Sequence, residues 1–451
     1  MRIRSSFILF LLLSGAAAAQ EEAVDSISVS PSVKEEVEQL KMHNESVNEI
    51  LLEMKSYIDL SRKLKFSGYM QTQFQATNGT GNGAYPIGGF SGGAFPANVG
   101  SRFQVRRGRL KVQYENDITF SQYVLQVDVT QNGLGIKDAY INLKDPWTRD
   151  WNLRMGVFDR PFGFEVAYSS NMRETPERSR LAQTLFPGER ELGAMIEFQP
   201  EFEPWSNYNL KLGLFNGVLP NGNENDSRKD LIGRAGVIVP FEEANAAVDG
   251  GVSFYYGSVR NTSKFLSTMN GSRFTVDSAL TNNGRSSPRQ YVGADLQIIY
   301  DIPDIGGISL RGEYITGRQP GTAAANTFYN PSAAGTPLYE RRFSGYYVSL
   351  LQNIGTRHQL LVRYDVLDPN TDVEGSGIGA AGSATTVGDI AYATIGLGYL
   401  FHLDENVKFT LYHEMPVNET VNASAAGALA PYTADVKDDV FTFRIQYRFP
   451  Y

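Results

Sequence analysis

The last twelve residues constrain the fold more than any other stretch of the chain. Val440 to Tyr451 read VFTFRIQYRFPY, with Phe441, Phe443, Ile445, Tyr447, Phe449 and Tyr451 apolar or aromatic. Between them stand Thr442, Arg444, Gln446, Arg448 and Pro450. A period of two gives a strand with one apolar face and one polar, cationic face. A soluble sandwich would bury the apolar face against a second sheet. A transmembrane barrel would turn it to lipid and turn the polar face to a wet lumen. Aromatics at the strand end fit the belt that forms where a membrane meets water.

The start of the chain favours the membrane. Two cations within Met1–Arg4 precede an apolar run at Phe7–Leu13 and then Ser-Gly-Ala-Ala-Ala-Ala-Gln. This order predicts a secretory signal peptide over residues 1–19, cleaved after Ala19. Its apolar run is too short to span a bilayer, and no later run is long enough for a transmembrane helix. Spanning is therefore expected of strands. The absence of cysteine excludes disulfides and thiolate metal sites. With 44 Gly, 24 Tyr and 26 Phe but only 42% hydrophobic residues, the composition suits aromatic strands joined by glycine-rich loops. A net charge of −8 and the lack of a basic tract argue against nucleic acid as a partner.

Residues 20–32 read as a flexible lead-in. Over residues 33–62 the period changes. Val33, Val37, Leu40, Asn44, Val47, Leu51, Met54 and Ile58 recur at alternating spacings of four and three. This is a heptad seam with Asn44 at an a position, where a buried Asn fixes register and oligomer state. The pattern predicts a periplasmic helix. It serves either as a short coiled coil between subunits or as a single amphipathic helix packed against the barrel.

From Leu64 the period returns to two, and no linker divides residues 63–451. About sixteen strands are expected, near 64–76, 102–116, 121–132, 136–144, 151–159, 190–199, 207–216, 230–240, 247–258, 289–301, 307–316, 344–353, 357–367, 390–402, 405–415 and 438–451. Short turns alternate with long loops at 77–100, 160–189, 259–288, 318–342, 368–388 and 416–437, which is the layout of an antiparallel transmembrane barrel. An even count puts both ends on the periplasmic side, and sixteen strands leave room for an aqueous channel. One strand breaks phase. Phe103 and Val105 share one parity, while Leu110, Val112 and Tyr114 share the other. A bulge at Arg107–Gly108 would repair it and turn Arg106, Arg109 and Lys111 inward. An inward row of cations is a reason to expect an anion path.

Residues 102–198 resemble the phosphate-selective, or polyphosphate-type, porin family of Gram-negative outer membranes. The likeness is carried by Arg106-Arg107-Gly108-Arg109, Lys137-Asp138-Ala139-Tyr140 and Met155-Gly156-Val157-Phe158. It continues in Arg160-Pro161-Phe162-Gly163, Glu177-Arg178-Ser179 and Arg190-Glu191-Leu192-Gly193, and more weakly in Gly312-Glu313-Tyr314 and Arg363-Tyr364-Asp365. The resemblance implies a sixteen-stranded trimeric barrel whose third long loop, here 160–189, folds inward and constricts the pore. That loop carries Arg160, Arg173, Arg178 and Arg180, with Arg190 opening the next strand. Arginine presents a planar fork of donors that matches phosphate. Arg154, Arg311, Arg363 and Arg444 are further inward cations by parity. Two readings stay open. The arginines line an anion path, or Glu174, Glu177 and Glu189 neutralise them in pairs that hold the loop to the wall, where the loop also carries Glu165.

No catalytic constellation is legible around His43, His358, His402 and His413, and no metal or cofactor is expected. The expectation is an outer-membrane channel for passive diffusion of small hydrophilic solutes, leaning to anions such as phosphate. The alternatives are a general, weakly selective porin and a structural tether from the outer membrane to periplasmic partners through residues 33–60. Expected partners are outer-membrane lipid, small solutes and two further copies of the chain.

Overall fold

A computed structural model describes residues 31–80, 85–328 and 335–449. The expected signal peptide at 1–19, most of the lead-in at 20–32 and the terminal Pro450-Tyr451 lie outside the described residues. The chain divides into two units, residues 1–62 and 63–451.

In the first unit, α1 runs from Pro31 to Lys63. Proline at the first helical position costs nothing, because that N–H has no partner within a helix anyway. Leu40, Leu51, Met54 and Ile58 of the heptad seam are all exposed.

The second unit is a closed sheet. Its strands are β1 (Leu64–Thr77), β2 (Ser101–Asn116), β3 (Ser121–Thr130), β4 (Gly133–Lys144), β5 (Trp151–Asp159) and β6 (Arg190–Phe198). There follow β7 (Tyr208–Phe215), β8 (Asp230–Phe241), β9 (Ala246–Arg260), β10 (Leu266–Asn270), β11 (Arg273–Asp277) and β12 (Ser286–Ile302). The last six are β13 (Gly306–Gly321), β14 (Leu338–Ile354), β15 (His358–Asp368), β16 (Tyr392–His402), β17 (Val407–Asn418) and β18 (Val440–Phe449). All but β10 and β11 pair antiparallel around a ring. β9 pairs directly with β12, and β18 returns to β1 with Phe449 opposite Gly68. The barrel is therefore sixteen-stranded, as the alternation predicted. The β10–β11 hairpin was not foreseen. It rises from the 259–288 loop and lays Leu266–Thr268 parallel to Leu338–Glu340 of β14.

Burial is the reverse of a soluble protein's. In β18, Thr442, Arg444 and Gln446 are 2–3% exposed, while Ile445 and Tyr447 are 39% and 52% exposed. Leu125, Leu153, Leu212, Val292, Leu310, Val362 and Leu397 make the same exposed band around the other strands. No described helix is long and apolar enough to cross a membrane. The sixteen strands of the ring, at 8 to 17 residues, include many of the length a tilted crossing needs.

Two strands break phase, not one. In β2, Gln71 of β1 faces Arg107 and Thr72 faces Val105, so the extra residue is Arg106, one or two places before the expected Arg107–Gly108. In β4, Gln126 of β3 faces Asp138 and Val127 faces Ile136, so Lys137 is extra. Both bulges carry cations aimed at the same segment inside the barrel.

Candidate functional site

That segment is residues 160–189, between β5 and β6. Its anchoring begins with a backbone position only glycine suits. Gly163 has a φ of +57°, and a Cβ there would lie 1.7 Å from Glu313 Oε1. The close approach lets Glu313 accept hydrogen bonds from the Phe164 and Glu165 amides at 2.7 and 2.9 Å. Gly163 N–H donates to Ser253 Oγ at 2.9 Å. Apolar packing reinforces this. Phe162, Val166, Leu181, Leu185 and Phe186 join inward-facing Phe215, Tyr255, Tyr291 and Phe343 in one buried cluster. Phe162 and Leu181 occupy the space left by Gly293 and Gly345 of the wall. A one-and-a-half-turn helix, α2 (Arg180–Leu185), is capped by Ser179, whose hydroxyl accepts from Ala182 N–H and donates to Glu165.

The carboxylates of the segment gather most of the cations. Glu177 accepts from Arg106 through two bonds of 2.8 and 2.9 Å, from Arg107 at 2.6 Å and from Arg444 at 3.0 Å. Burial alone would raise its carboxyl. The fields of Arg106, Arg107, Arg444 and Arg173 outweigh it and hold Glu177 well below the usual carboxylate range. Glu189 pairs with Arg178, with Lys137 at 2.7 Å and with Arg190 at 3.2 Å. Burial opposes its ionisation too, but these cations keep it well below the usual range. Arg190 also meets Asp138 at 2.9 Å, and Arg160 lies 3.5 Å from Glu191. The motifs that carry the family resemblance are thus largely the docking surface of the loop.

The remaining inward cations divide by their partners. Arg109 meets Asp128 at 3.2 Å, and Arg154 reaches Glu197 at only 4.0 Å while lying over the Tyr140 ring. Arg311 meets Glu174 at 3.0 Å. Arg363 sits among Asp365, Glu414 and Glu165 at 3.4, 3.5 and 3.9 Å. Arg173, Arg180 and Lys111 form no ion pair among the described residues. Arg173 is buried and donates only to the Thr175 and Pro176 carbonyls, at 3.4 and 3.3 Å. Burial, with Arg178 and Arg107 nearby, pulls its guanidinium well below the usual range. Arg180 lies over the Phe90 and Tyr392 rings, 4.3 and 3.9 Å from their centroids.

Sequence reasoning left Arg107 out of the cation set because the bulge was placed too late. It also left out Lys408, which donates to the Asn171 and Arg173 carbonyls at 3.3 and 3.0 Å. The inward parity of Lys408 in β17 was a legible signal for it.

Three spaces follow one another along the barrel. On the side of the short turns, a cavity of about 690 Å³ is lined by Asn171, Lys408, Gln446 and Arg448. On the side of the long loops, a chamber of about 270 Å³ is lined by Arg180, Glu414 and Asp438. Between them, at mid-strand depth, Arg173, Arg311 and Arg363 share a space of about 30 Å³ with Glu165 and Glu174. That is room for about one water-sized particle. Arg173 Nη1, Arg311 Nε and Arg363 Nε make no hydrogen bond to another described group. Buried donors without acceptors cost free energy, so an acceptor entering here is favoured.

The family model of phosphate-selective porin O and P matches residues 87–449. Among solved structures, the chain is similar to OprB of Pseudomonas putida, 8% identical, with 86% of this chain and 95% of that one covered at a TM-score of 0.55. It is similar to the outer-membrane channel DcaP of Acinetobacter baumannii, 12% identical, with 86% and 97% covered at 0.52. It is also similar to the anion-selective porin from Comamonas acidovorans, 11% identical, with 86% and 99% covered at 0.50. At such identities the likeness is one of fold. No curated protein sequence matches significantly.

Proposed function

Because this chain belongs to the phosphate-selective porin O and P family, and so is an outer-membrane porin, we propose that it passes small hydrophilic solutes with a preference for anions such as phosphate. The selecting element in this reading is residues 160–189 folded against the wall. The observation that carries it is Arg173, buried beside Arg311 and Arg363, with its Nη1 donor and the Nε donor of Arg311 unused. A mobile anion entering this space gains Arg173 Nη1 and Arg311 Nε, which no described carboxylate takes. No catalytic step is involved, and the work is electrostatic selection at a narrow point. Arg106, Arg109, Arg154, Arg160, Arg178, Arg190 and Arg444 belong to this reading as supports that hold the segment and set its field. Lys111, unpaired on the wall, and Arg180, unpaired in the long-loop chamber, belong to it as approach sites.

The test is the reversal potential of single channels in a salt gradient, with and without phosphate. We expect anion preference, slowing of chloride current by phosphate, and loss of both in Arg173→Gln. A second reading, a weakly selective porin, is favoured by Glu165 and Glu174 lining the same space. A reversal potential near zero that Arg173→Gln leaves unchanged would establish it instead.

We place the long loops outside the cell and α1 in the periplasm, where its exposed seam of Leu40, Val47, Leu51, Met54 and Ile58 would join three copies. The competing role for α1 is a tether to a periplasmic partner.

A further inference from the structure

The chamber among the long loops differs chemically from the space beneath it. Its floor holds one cation, Arg180, and two acids, Glu414 and Asp438, and its walls are apolar through Leu367, Ile390 and Pro416. The Arg180 guanidinium packs on the Phe90 and Tyr392 rings, and the Nε at its edge is left for a solute. Opposite charge is supplied by Asp438, which is 7% exposed. Four polar atoms of lining residues make no hydrogen bond to another described group: Arg180 Nε, Thr184 Oγ1, Asn326 Oδ1 and Asp438 Oδ1. Thr184 and Asn326 are also more than nine-tenths buried. Buried polar groups are nearly always satisfied, so four unused atoms around one chamber point to a solute that satisfies them. One is a cationic donor and two are acceptors, and the Thr184 hydroxyl can act as either. A simple anion would leave both acceptors unused.

We propose that this chamber is an entry subsite for a small zwitterion, an α-amino acid with an apolar side chain. Its carboxylate meets the edge of Arg180, its ammonium meets Asp438 with Asn326 and Thr184, and its side chain lies on Leu367, Ile390 and Pro416. A volume of about 270 Å³ suits one such molecule. The inference rests on the channel reading but not on its anion preference.

Protonation of Asp438 adds a signature. Burial pushes its carboxyl up to about 7, against the pull of Arg180 and with Asp435, Asp439 and Glu414 also raising it. Tyr392 and Tyr432 also line the chamber. Raising the pH through 7 ionises Asp438 and strengthens its grip on an ammonium, while a free amino acid stays zwitterionic over that range.

The experiment uses the full chain in planar bilayers, with L-valine added on the long-loop side and the current read as a function of concentration. We expect saturable block that strengthens from pH 5 to pH 8. 3-Methylbutanoate, which lacks the amine, and 2-methylpropylamine, which lacks the carboxylate, should each block about tenfold more weakly, one charge-assisted contact being lost. Asp438→Asn should weaken valine block about tenfold and abolish its pH dependence. The inference falls if 3-methylbutanoate blocks as well as valine, since an anion site then suffices. It also falls if valine does not block channels that keep their anion preference, or if Asp438→Asn blocks like the parent. The solute series needs no variant, so it decides the matter even if Asp438→Asn fails to insert.

Discussion

At the scale of single residues, the loop is held by one carboxylate facing three guanidinium groups. Glu177 gathers Arg106, Arg107 and Arg444 where little solvent reaches. A buried pair is weak evidence of net stabilisation, but removing one member leaves an uncompensated charge and costs about 3–5 kcal/mol. Here the removal would leave cations. Glu177→Gln is therefore expected to loosen residues 160–189, seen as protease cleavage within the segment in barrels that remain folded, and to raise anion preference at the same time. An intact segment with unchanged selectivity would mean that the aromatic packing of Phe162 and Phe186 is sufficient. The pH dependence has a definite sign. Glu177 and Glu189 are held well below the usual range, so their contribution is full above the unfolded carboxylate value of about 4.3 and fades as pH falls further. Open-channel noise should stay constant from pH 8 to pH 5 and rise only in stronger acid. A rise already at pH 6 would contradict that anchoring.

At the scale of elements, strand existence was legible because a two-sided environment imposes a period of two on every crossing. Leu125 faces out at 48% exposed and its neighbour Gln126 does not. We expect Leu125→Lys to cost about 2–4 kcal/mol near the bilayer midplane, measured by urea unfolding in vesicles, and Gln126→Lys to cost far less. Equal costs would overturn the inside–outside assignment. Gln446 shares the inward parity but is a poorer control, because it accepts from Gln71 at 2.7 Å and donates to the Asn171 carbonyl at 2.9 Å. The bulge in β4 shows the same five-residue break of parity, from Leu134 and Ile136 to Ile141 and Leu143, but a strand expected to begin at Ile136 leaves too little on its near side to reveal it. Nor was the partner of each loop acid. Glu177 finds Arg444 across 267 residues, and Glu174 finds Arg311 across 137. Closure of the ring sets these pairings, and nothing local in the sequence encodes them. The arginines of the loop were legible as a group, but their division into paired supports and unpaired Arg173 and Arg180 needed the folded wall.

At the scale of the whole molecule, the question is what the α1 seam touches. An isolated helix gains little in water from a row of exposed Leu, Met and Ile, so the row implies burial against something. Three copies of the same seam satisfy it with no other partner, and Asn44 at an a position gives up stability for register. If that is its role, deleting residues 33–60 should lower the temperature at which trimers dissociate in detergent, without altering conductance per pore. Asn44→Ile should raise that temperature, because an apolar residue replaces the one polar side chain of the seam. A tether predicts otherwise. Both variants would then dissociate like the parent, and the deletion would instead loosen the cell envelope. The two variants move the trimer in opposite directions only if the seam lies between subunits, so general damage from the deletion cannot imitate the result.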